Sequence, residues 1–218
     1  MTTDYPYHLP EKRIERYQTL CEKTKIPVDK LYLLNTKISE SLYLPLQTLE
    51  ITLRNSIHKT LSEKLSPVWF DQPDSIKIPN QYEQIGEAKS SLIKNKKPVE
   101  PDRIVAELTF GFWSGLFQSN YDDLWKSYLH KIVIPDEKNG VTRKSFSSIL
   151  TPLRKLRNRV AHHECIIEWN THQSHTNIKT LLSWLSPQAK EWVENHSSFP
   201  SIYEEHKDTL YKVQKHKK

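Results

Sequence analysis

Apolar residues recur at helical spacing along most of this chain, and this periodicity is the feature that most restricts its fold. Between Val28 and Leu65 nearly every third or fourth residue is apolar, which predicts helices with one buried face. This stripe consists of Leu31, Leu34, Ile38, Leu42, Leu46, Leu49, Leu53, Ile57 and Leu61. No stretch of the sequence shows the strict alternation that is typical of a half-buried strand. The sequence therefore predicts an all-α protein.

Prolines set several of the predicted helix boundaries. A first helix over Glu11 to Lys25 should end before Pro27. Pro45 falls inside the long apolar stripe and should kink it or split it into two helices. Pro152 follows a threonine, so the pair predicts the cap and first turn of a later helix.

RIVAELTFGFWSGLF is the most apolar stretch of the chain, and its length favours one helix over a strand. Gly111 and Gly115 would allow a neighbouring helix to come close. Glu107 lies among these apolar residues, where an unpaired carboxylate is costly. The sequence predicts that Glu107 forms an ion pair with Arg157 or Arg54. This pair would either hold the helices together or orient the residues of a site.

Positive charge is concentrated between residues 138 and 163, a segment without any acidic residue. Its cations are Lys138, Arg143, Lys144, Arg154, Lys155, Arg157 and Arg159. The chain of 218 residues carries a net charge of +6, which favours an anionic partner such as RNA. We expect Arg143, Lys144, Arg154, Lys155 and Arg159 to bind the RNA backbone.

The motif RNRVAHHE follows within this basic segment and carries the candidate chemistry. Leu153, Leu156 and Val160 predict the buried stripe of a helix, and at about 100° per residue Arg157 lies at the edge of that stripe. A half-buried arginine normally needs an anion, either from the protein or from a ligand. His162 points away from Arg157 on a regular helix, so the two converge only if the helix ends or bends near Ala161, if the arginine reaches round, or if two copies meet.

Other features restrict the class of protein. Cys21 and Cys165 are too few and too far apart for a disulfide framework, and neither has the spacing of a metal site. We find neither a signal-peptide core nor a segment of membrane-spanning length in the sequence. We therefore predict a cytoplasmic protein that needs no cofactor, no metal and no membrane.

A second polar stripe precedes this motif by about 100 residues. Glu50, Arg54 and His58 are each four residues apart and would share one helix face. The simpler interpretation is a surface stack of charged and aromatic side chains. A supporting role in a site would require that this stripe face the later motif. Glu107 is a further candidate for such support, and we expect His163 and Glu164 to cap or orient and not to catalyse.

Several motifs together resemble those of the Abi-like (AbiF and AbiD type) abortive-infection proteins of bacteria. They are RIVAELTFGFWSGLF, Tyr121 with Leu124-Trp125, LRKLRNRVAHHE, and LQTLEITLRNSIH. The resemblance covers about residues 42 to 170 and places the chain in the HEPN superfamily. It implies one HEPN-like helical domain over 1–218, with a core at about 28–170 and additional helices at both ends. We expect residues 1–10 and 212–218 to be mobile.

The resemblance also implies a metal-independent, toxin-like endoribonuclease of anti-phage defence. In this superfamily an arginine and a histidine separated by four to six residues form the site, commonly at a homodimer interface. Arg157 and His162 match this signature, and Asn158 matches the polar residue that usually follows the arginine. Arg54 and His58 have only three residues between them and do not match. Cleavage through the ribose 2′-OH would leave 2′,3′-cyclic phosphate and 5′-OH ends.

Two other functions stay open from the sequence. The chain could be an RNA-binding module that does not cleave, or a structural dimeric partner in a defence system. An antitoxin protein or a small RNA could restrain it. The binding module predicts RNA binding that survives the loss of His162 and no cleavage. The structural partner predicts binding no tighter than that of any protein of this charge, which vanishes at physiological salt.

Overall fold

The computed structural model describes residues 9–72, 75–134 and 140–215. Over these ranges the chain forms eleven α-helices and three short 3₁₀ turns, without a β-strand, which confirms the all-α prediction. The helices are α1 (Glu11–Thr24), α2 (Val28–Ser41), α3 (Tyr43–Lys64), α4 (Pro79–Lys94), α5 (Pro101–Glu107), α6 (Phe110–Gly115), α7 (Asp122–Ser127), α8 (Arg143–Ala161), α9 (Thr171–Leu185), α10 (Pro187–His196) and α11 (Phe199–Lys215).

The residues form two compact units, and the prediction of a single domain stays a prediction. The first unit takes its described residues from 1–47, 155–179 and 191–218, and the second from 48–154 and 180–190. Helix α11 continues through residues 212–215, the first part of the tail that we expected to be mobile. The rest of the two ends expected to be mobile, 1–8 and 216–218, lies outside the described residues.

The first unit is built on the packing of α1, α2 and α11 against one another. Their apolar faces supply its core, in which Leu20, Leu31, Ile38, Leu210 and Val213 are at most 1% exposed. Helix α1 ends at Thr24, and the next residue, Lys25, has a φ of 60°, the left-handed conformation common at helix ends. The helix thus ends before Pro27, as the sequence predicts.

The long apolar stripe is split at Leu42, which confirms one of the two outcomes expected from Pro45. Leu42 separates α2 from α3, and Pro45 lies in the first turn of α3. A proline is tolerated there because the first amides of a helix have no partner within it. The chain thus continues with the same buried stripe on a new helix.

The single helix predicted over residues 103–117 is wrong, because two short helices form instead. Leu108 and Thr109 are extended between α5 and α6. The Thr109 hydroxyl accepts a hydrogen bond from the amide of Phe112, so this side chain caps α6. Threonine favours such a cap over a helix interior, and here the cap outweighs the apolar pattern.

Gly115 allows the close approach that the sequence predicts. A Cβ atom at this position would lie 3.0 Å from the side-chain nitrogen of Gln81 on α4. That nitrogen donates to the Phe112 carbonyl at 2.9 Å, and the Gln81 carbonyl oxygen accepts from the Tyr121 hydroxyl. The glycine therefore makes room for a buried polar bridge within the second unit.

The prediction that Pro152 begins a helix is also wrong, since α8 begins at Arg143 and contains Pro152. An internal proline removes one backbone hydrogen bond and costs about 3 kcal/mol. Packing on both sides of it outweighs this cost. The buried face of α8 carries Phe146, Leu150, Leu153 and Leu156, each at most 1% exposed.

His175 should make the first unit sensitive to acid. Its ring is 7% exposed and stacks on Phe199, and its Nε2 has no hydrogen-bond partner among the described residues. Burial, with help from the nearby Lys179 and His172, lowers the pKa of His175 to about 4. The unfolded chain binds this proton near pH 6.5 and the folded chain does not, so stability is lost as the pH falls from about 6.5 towards 4.

We expect this histidine to remove about 2 kcal/mol of unfolding free energy between pH 7 and pH 5. Urea denaturation of the wild type and of His175→Leu at both pH values measures it, because leucine cannot bind the proton. Equal losses in the two proteins would contradict the assignment.

Candidate functional site at the end of α8

The predicted catalytic residues lie in and just after the last turn of α8. Leu153 and Leu156 are fully buried and Val160 is half-buried. Arg157 is half-buried beside this stripe, as the helical spacing predicts, whereas Asn158 and His162 are exposed. The helix thus places a guanidinium at the margin of the core and an amide and an imidazole in solvent.

Helix α8 ends at Ala161 in a hydrogen-bonded termination that involves both histidines. The His162 amide donates to Asn158 O at 2.9 Å, the last bond of the helix. The His163 amide donates to Val160 O at 3.1 Å, and the Glu164 amide to Arg159 O at 2.9 Å. These last two bonds form a Schellman motif. The helix thus ends near Ala161, which meets the first of the three conditions under which Arg157 and His162 could converge, and the chain leaves the helical path at His163.

His163 has a φ of 55° and occupies the position of this motif that glycine usually fills. The left-handed conformation costs an L-residue about 1 kcal/mol. His163→Gly is therefore expected to raise the unfolding free energy by about 0.5–1 kcal/mol in urea denaturation.

A matched substitution shows whether this gain is specific to the helix end. Lys59→Gly, at an exposed position inside α3, should lower the unfolding free energy by about 1 kcal/mol. A loss of stability in His163→Gly would show that the left-handed conformation of His163 does not strain the helix end.

The segment after His163 is fixed by Asn35, a buried residue of α2. The Asn35 side-chain nitrogen donates to Glu164 O at 3.2 Å, and its oxygen accepts from the Ile166 amide at 2.7 Å. Gln214 of α11 donates to Trp169 O at 2.8 Å farther along. Two side-chain amides from distant helices thus hold the chain where it leaves α8. We did not predict Asn35, although an asparagine four residues after Leu31 on an apolar face was a readable signal.

Asn35→Leu should lower the unfolding free energy by about 2–3 kcal/mol, because it leaves the buried Ile166 amide without a partner. Urea denaturation measures the loss. Asn55→Leu, at an exposed position on α3, is the matched control and should change stability by at most about 0.5 kcal/mol. Equal effects would mean that the two hydrogen bonds do not fix this segment.

The predicted RNA-binding residues have different surroundings. Arg143 pairs with Asp122 and donates to the Phe117 carbonyl at 2.7 Å, so its half-buried guanidinium joins helices of the second unit. Lys144 and Lys155 are exposed and Arg154 is half-exposed. Contact with the RNA backbone stays a prediction for all of them, and the geometry of Arg143 favours a structural role.

Arg159 has several partners within the first unit. Its guanidinium lies 5.1 Å from the centre of the Trp169 ring, donates to Cys165 O at 3.1 Å and lies 3.4 Å from the Glu164 carboxylate. A guanidinium over an indole gains a cation–π attraction. Arg159 therefore has a defined orientation while its side chain remains 39% exposed.

A family model described as Abi-like protein matches residues 2–170, which is most of the chain. The chain belongs to the Abi-like protein family. Membership suggests a role in abortive-infection defence. Neither a curated protein nor a solved structure matches the chain.

The second polar stripe of this Abi-like protein lies on α3 and is half-buried. The His58 Nδ1 accepts from the Trp69 indole N–H at 3.1 Å, and its Nε2 lies 3.2 Å from Asp102 Oδ1. Arg54 donates to Asn55 at 3.3 Å. The imidazole of His58 thus joins a buried tryptophan to α5. This structural role accounts for the histidine without a part in catalysis. A role for Glu50, Arg54 or His58 in catalysis stays a prediction.

The prediction of a buried ion pair at Glu107 is wrong, because Glu107 is not buried. Glu107 is exposed at the end of α5, and its carboxylate accepts a hydrogen bond from Ser91 at 3.4 Å. An exposed carboxylate needs no cation for its stability.

The Abi-like chain lacks two further features over the residues that the structure describes. Over the described ranges, no helix combines the length and apolar character that crossing a bilayer requires. In the same ranges, no three His, Cys, Asp or Glu side chains are grouped so that they could hold a metal ion.

Proposed function

We propose that this Abi-like protein is a metal-independent endoribonuclease of the HEPN type, with its site at the end of α8. The observation that carries the proposal is the termination of the helix at Ala161. It leaves His162 exposed just beyond the helix, while Arg157 lies half-buried in the preceding turns. Abortive infection, which the family suggests, is compatible with a toxin-like enzyme that degrades RNA.

The residue types fit cleavage by the ribose 2′-OH. His162 would take the proton from this hydroxyl or give one to the leaving 5′-oxygen, because imidazole exchanges protons near neutral pH. Arg157 would bind the scissile phosphate through two parallel hydrogen bonds and stabilise the charge that builds on it. Asn158 would orient His162 or a phosphate oxygen. The products would be 2′,3′-cyclic phosphate and 5′-OH ends.

A second copy of the chain would supply the second proton-transfer group. With α8 at a two-fold interface, one His162 could act as base and the other as acid. This homodimer belongs to the proposal, as does a restraining antitoxin protein or small RNA in the bacterial cytoplasm.

The decisive experiment uses wild-type protein and an end-labelled RNA of mixed sequence in excess EDTA. We expect cleavage with cyclic-phosphate ends. Once the cut is mapped, the same RNA with one 2′-deoxynucleotide on the 5′ side of the cut should resist cleavage there, because the nucleophile is missing. Undiminished cleavage at the deoxynucleotide, or 3′-OH and 5′-phosphate ends, would refute the mechanism.

The same assay separates the alternatives. Specific RNA binding without cleavage in any assembly state would identify a binding module. Binding that disappears at physiological salt would support a structural partner, since non-specific attraction to phosphates is strongly screened.

A further inference from the structure

A cleft of about 660 Å³ opens beside the end of α8 in the first unit. Its walls come from α1, from the last turns of α8 and from the segment that follows. The lining residues are Pro10, Lys12, Arg13, Arg16, Tyr17, Arg159, His163, Glu164, Cys165, Glu168 and Trp169. This volume is in the range of sites for small organic ligands.

The cleft has an excess of positive charge. Four of its residues are lysine or arginine and two are glutamate. Both carboxylates pair with arginines, Glu168 with Arg16 and Glu164 with Arg159. Lys12 and Arg13 therefore provide the excess charge, and both are exposed. Such a surface attracts phosphate groups.

The cleft is connected to the proposed catalytic residues. Arg13 donates to the backbone carbonyl of His162 at 3.4 Å, so α1 reaches the end of α8. His163, the next residue, lines the cleft. A strand of RNA whose scissile phosphate lies at His162 would therefore have its neighbouring nucleotide within reach of Arg13.

The interior of the cleft offers surfaces for a base as well as for a phosphate. Arg159 and Trp169 form a cation–π pair, and unpaired bases stack on arginine and aromatic planes. Tyr17 and Cys165 line the cleft beside this pair, and the Tyr17 hydroxyl interacts with the Cys165 thiol at 1% exposure of the tyrosine.

We propose that this cleft binds one unpaired nucleotide of the RNA, next to the phosphate on which Arg157 and His162 act. Lys12 and Arg13 hold its phosphate, and the Arg159–Trp169 pair contacts its base. The protein therefore selects single-stranded RNA, because a duplex keeps its bases stacked inside the helix and cannot place one in the cleft. This inference rests on the proposed function for its substrate.

Binding assays test the proposal separately from cleavage. All proteins carry His162→Ala and are kept in EDTA, so the RNA stays intact. The probe is a labelled single strand of about 12 nucleotides, compared with a duplex of the same sequence. The cleft variant is Lys12→Ala/Arg13→Ala, and the matched control is Lys94→Ala/Arg103→Ala, which removes the same charge at exposed positions of the second unit.

We expect the cleft variant to bind the single strand at least about tenfold more weakly than its parent. The slope of its log affinity against log salt concentration should be shallower by the amount that corresponds to about two phosphate contacts. The control should lose less than about threefold, and duplex affinity should be the same in both variants. Equal losses of single-strand affinity would overturn the proposal. So would displacement of the strand by a mononucleotide at the same concentration, which would make the cleft a site for free nucleotides. If the wild type does not cleave RNA, the proposed ribonuclease activity is refuted, while these binding results remain valid.

Discussion

The His162→Ala variant is expected to cleave RNA about 10²- to 10⁴-fold more slowly than the wild type, the usual contribution of a general acid or base. The side chain is exposed and follows the end of α8, so its removal should change the unfolding free energy by at most about 0.5 kcal/mol. Single-turnover cleavage of a labelled RNA measures the rate. Urea denaturation of the same preparations shows that the fold is retained.

The neighbouring histidine provides the control for this loss. His163→Gly removes an imidazole one residue away and should keep cleavage within about threefold of wild type, because His163 serves to end the helix. Equal cleavage by wild type and His162→Ala would show that another residue transfers the proton, or that a contaminant cleaves the RNA.

Arg157→Ala is expected to reduce the rate constant by about 10²- to 10³-fold, as for the loss of one group that stabilises transition-state charge. Arg157→Lys should recover only part of this rate. Lysine restores the positive charge but not the two parallel hydrogen bonds that a guanidinium makes to a phosphate. Measuring kcat and KM separately shows whether the interaction is made in the transition state.

Arg154 is the matched control for Arg157, since it is also a half-exposed arginine of α8. Arg154→Ala should raise KM by about threefold to tenfold and leave kcat nearly unchanged, as expected for a contact that only binds the RNA backbone. If Arg157→Ala also changed KM alone, Arg157 would be a binding residue and the proposed chemistry would need another electrophile.

Much of the fold could be predicted because helical periodicity reports burial directly. The stripe from Leu31 to Leu61 and the face of α8 are buried as their spacing predicts. The errors occurred where a local signal competes with packing. At Thr109 the cap prevailed over the apolar pattern, and at Pro152 packing prevailed over the helix-breaking residue. Sequence alone gives no measure of which effect is larger.

In the candidate site too, the sequence predicts the burial of residues but not the local backbone geometry. Arg157 lies at the edge of the core as its helical angle predicts. The sequence predicts that His163 caps or orients, but not its left-handed conformation, because glycine is the usual signal for a left-handed residue and histidine is not. The cleft joins α1 to residues about 150 positions later, and no periodicity encodes a contact at that separation.

The two amides that hold the segment after α8 have a consequence for protein engineering. Grafting residues 143–170 into an unrelated helical scaffold would transfer Arg157, Asn158 and His162 but not Asn35 or Gln214. The Ile166 amide and the Trp169 carbonyl would then lose the side chains that position them in this protein. The motif should therefore work as a transplant only when its partners on α2 and α11 are copied with it, although they lie more than 40 residues away on either side.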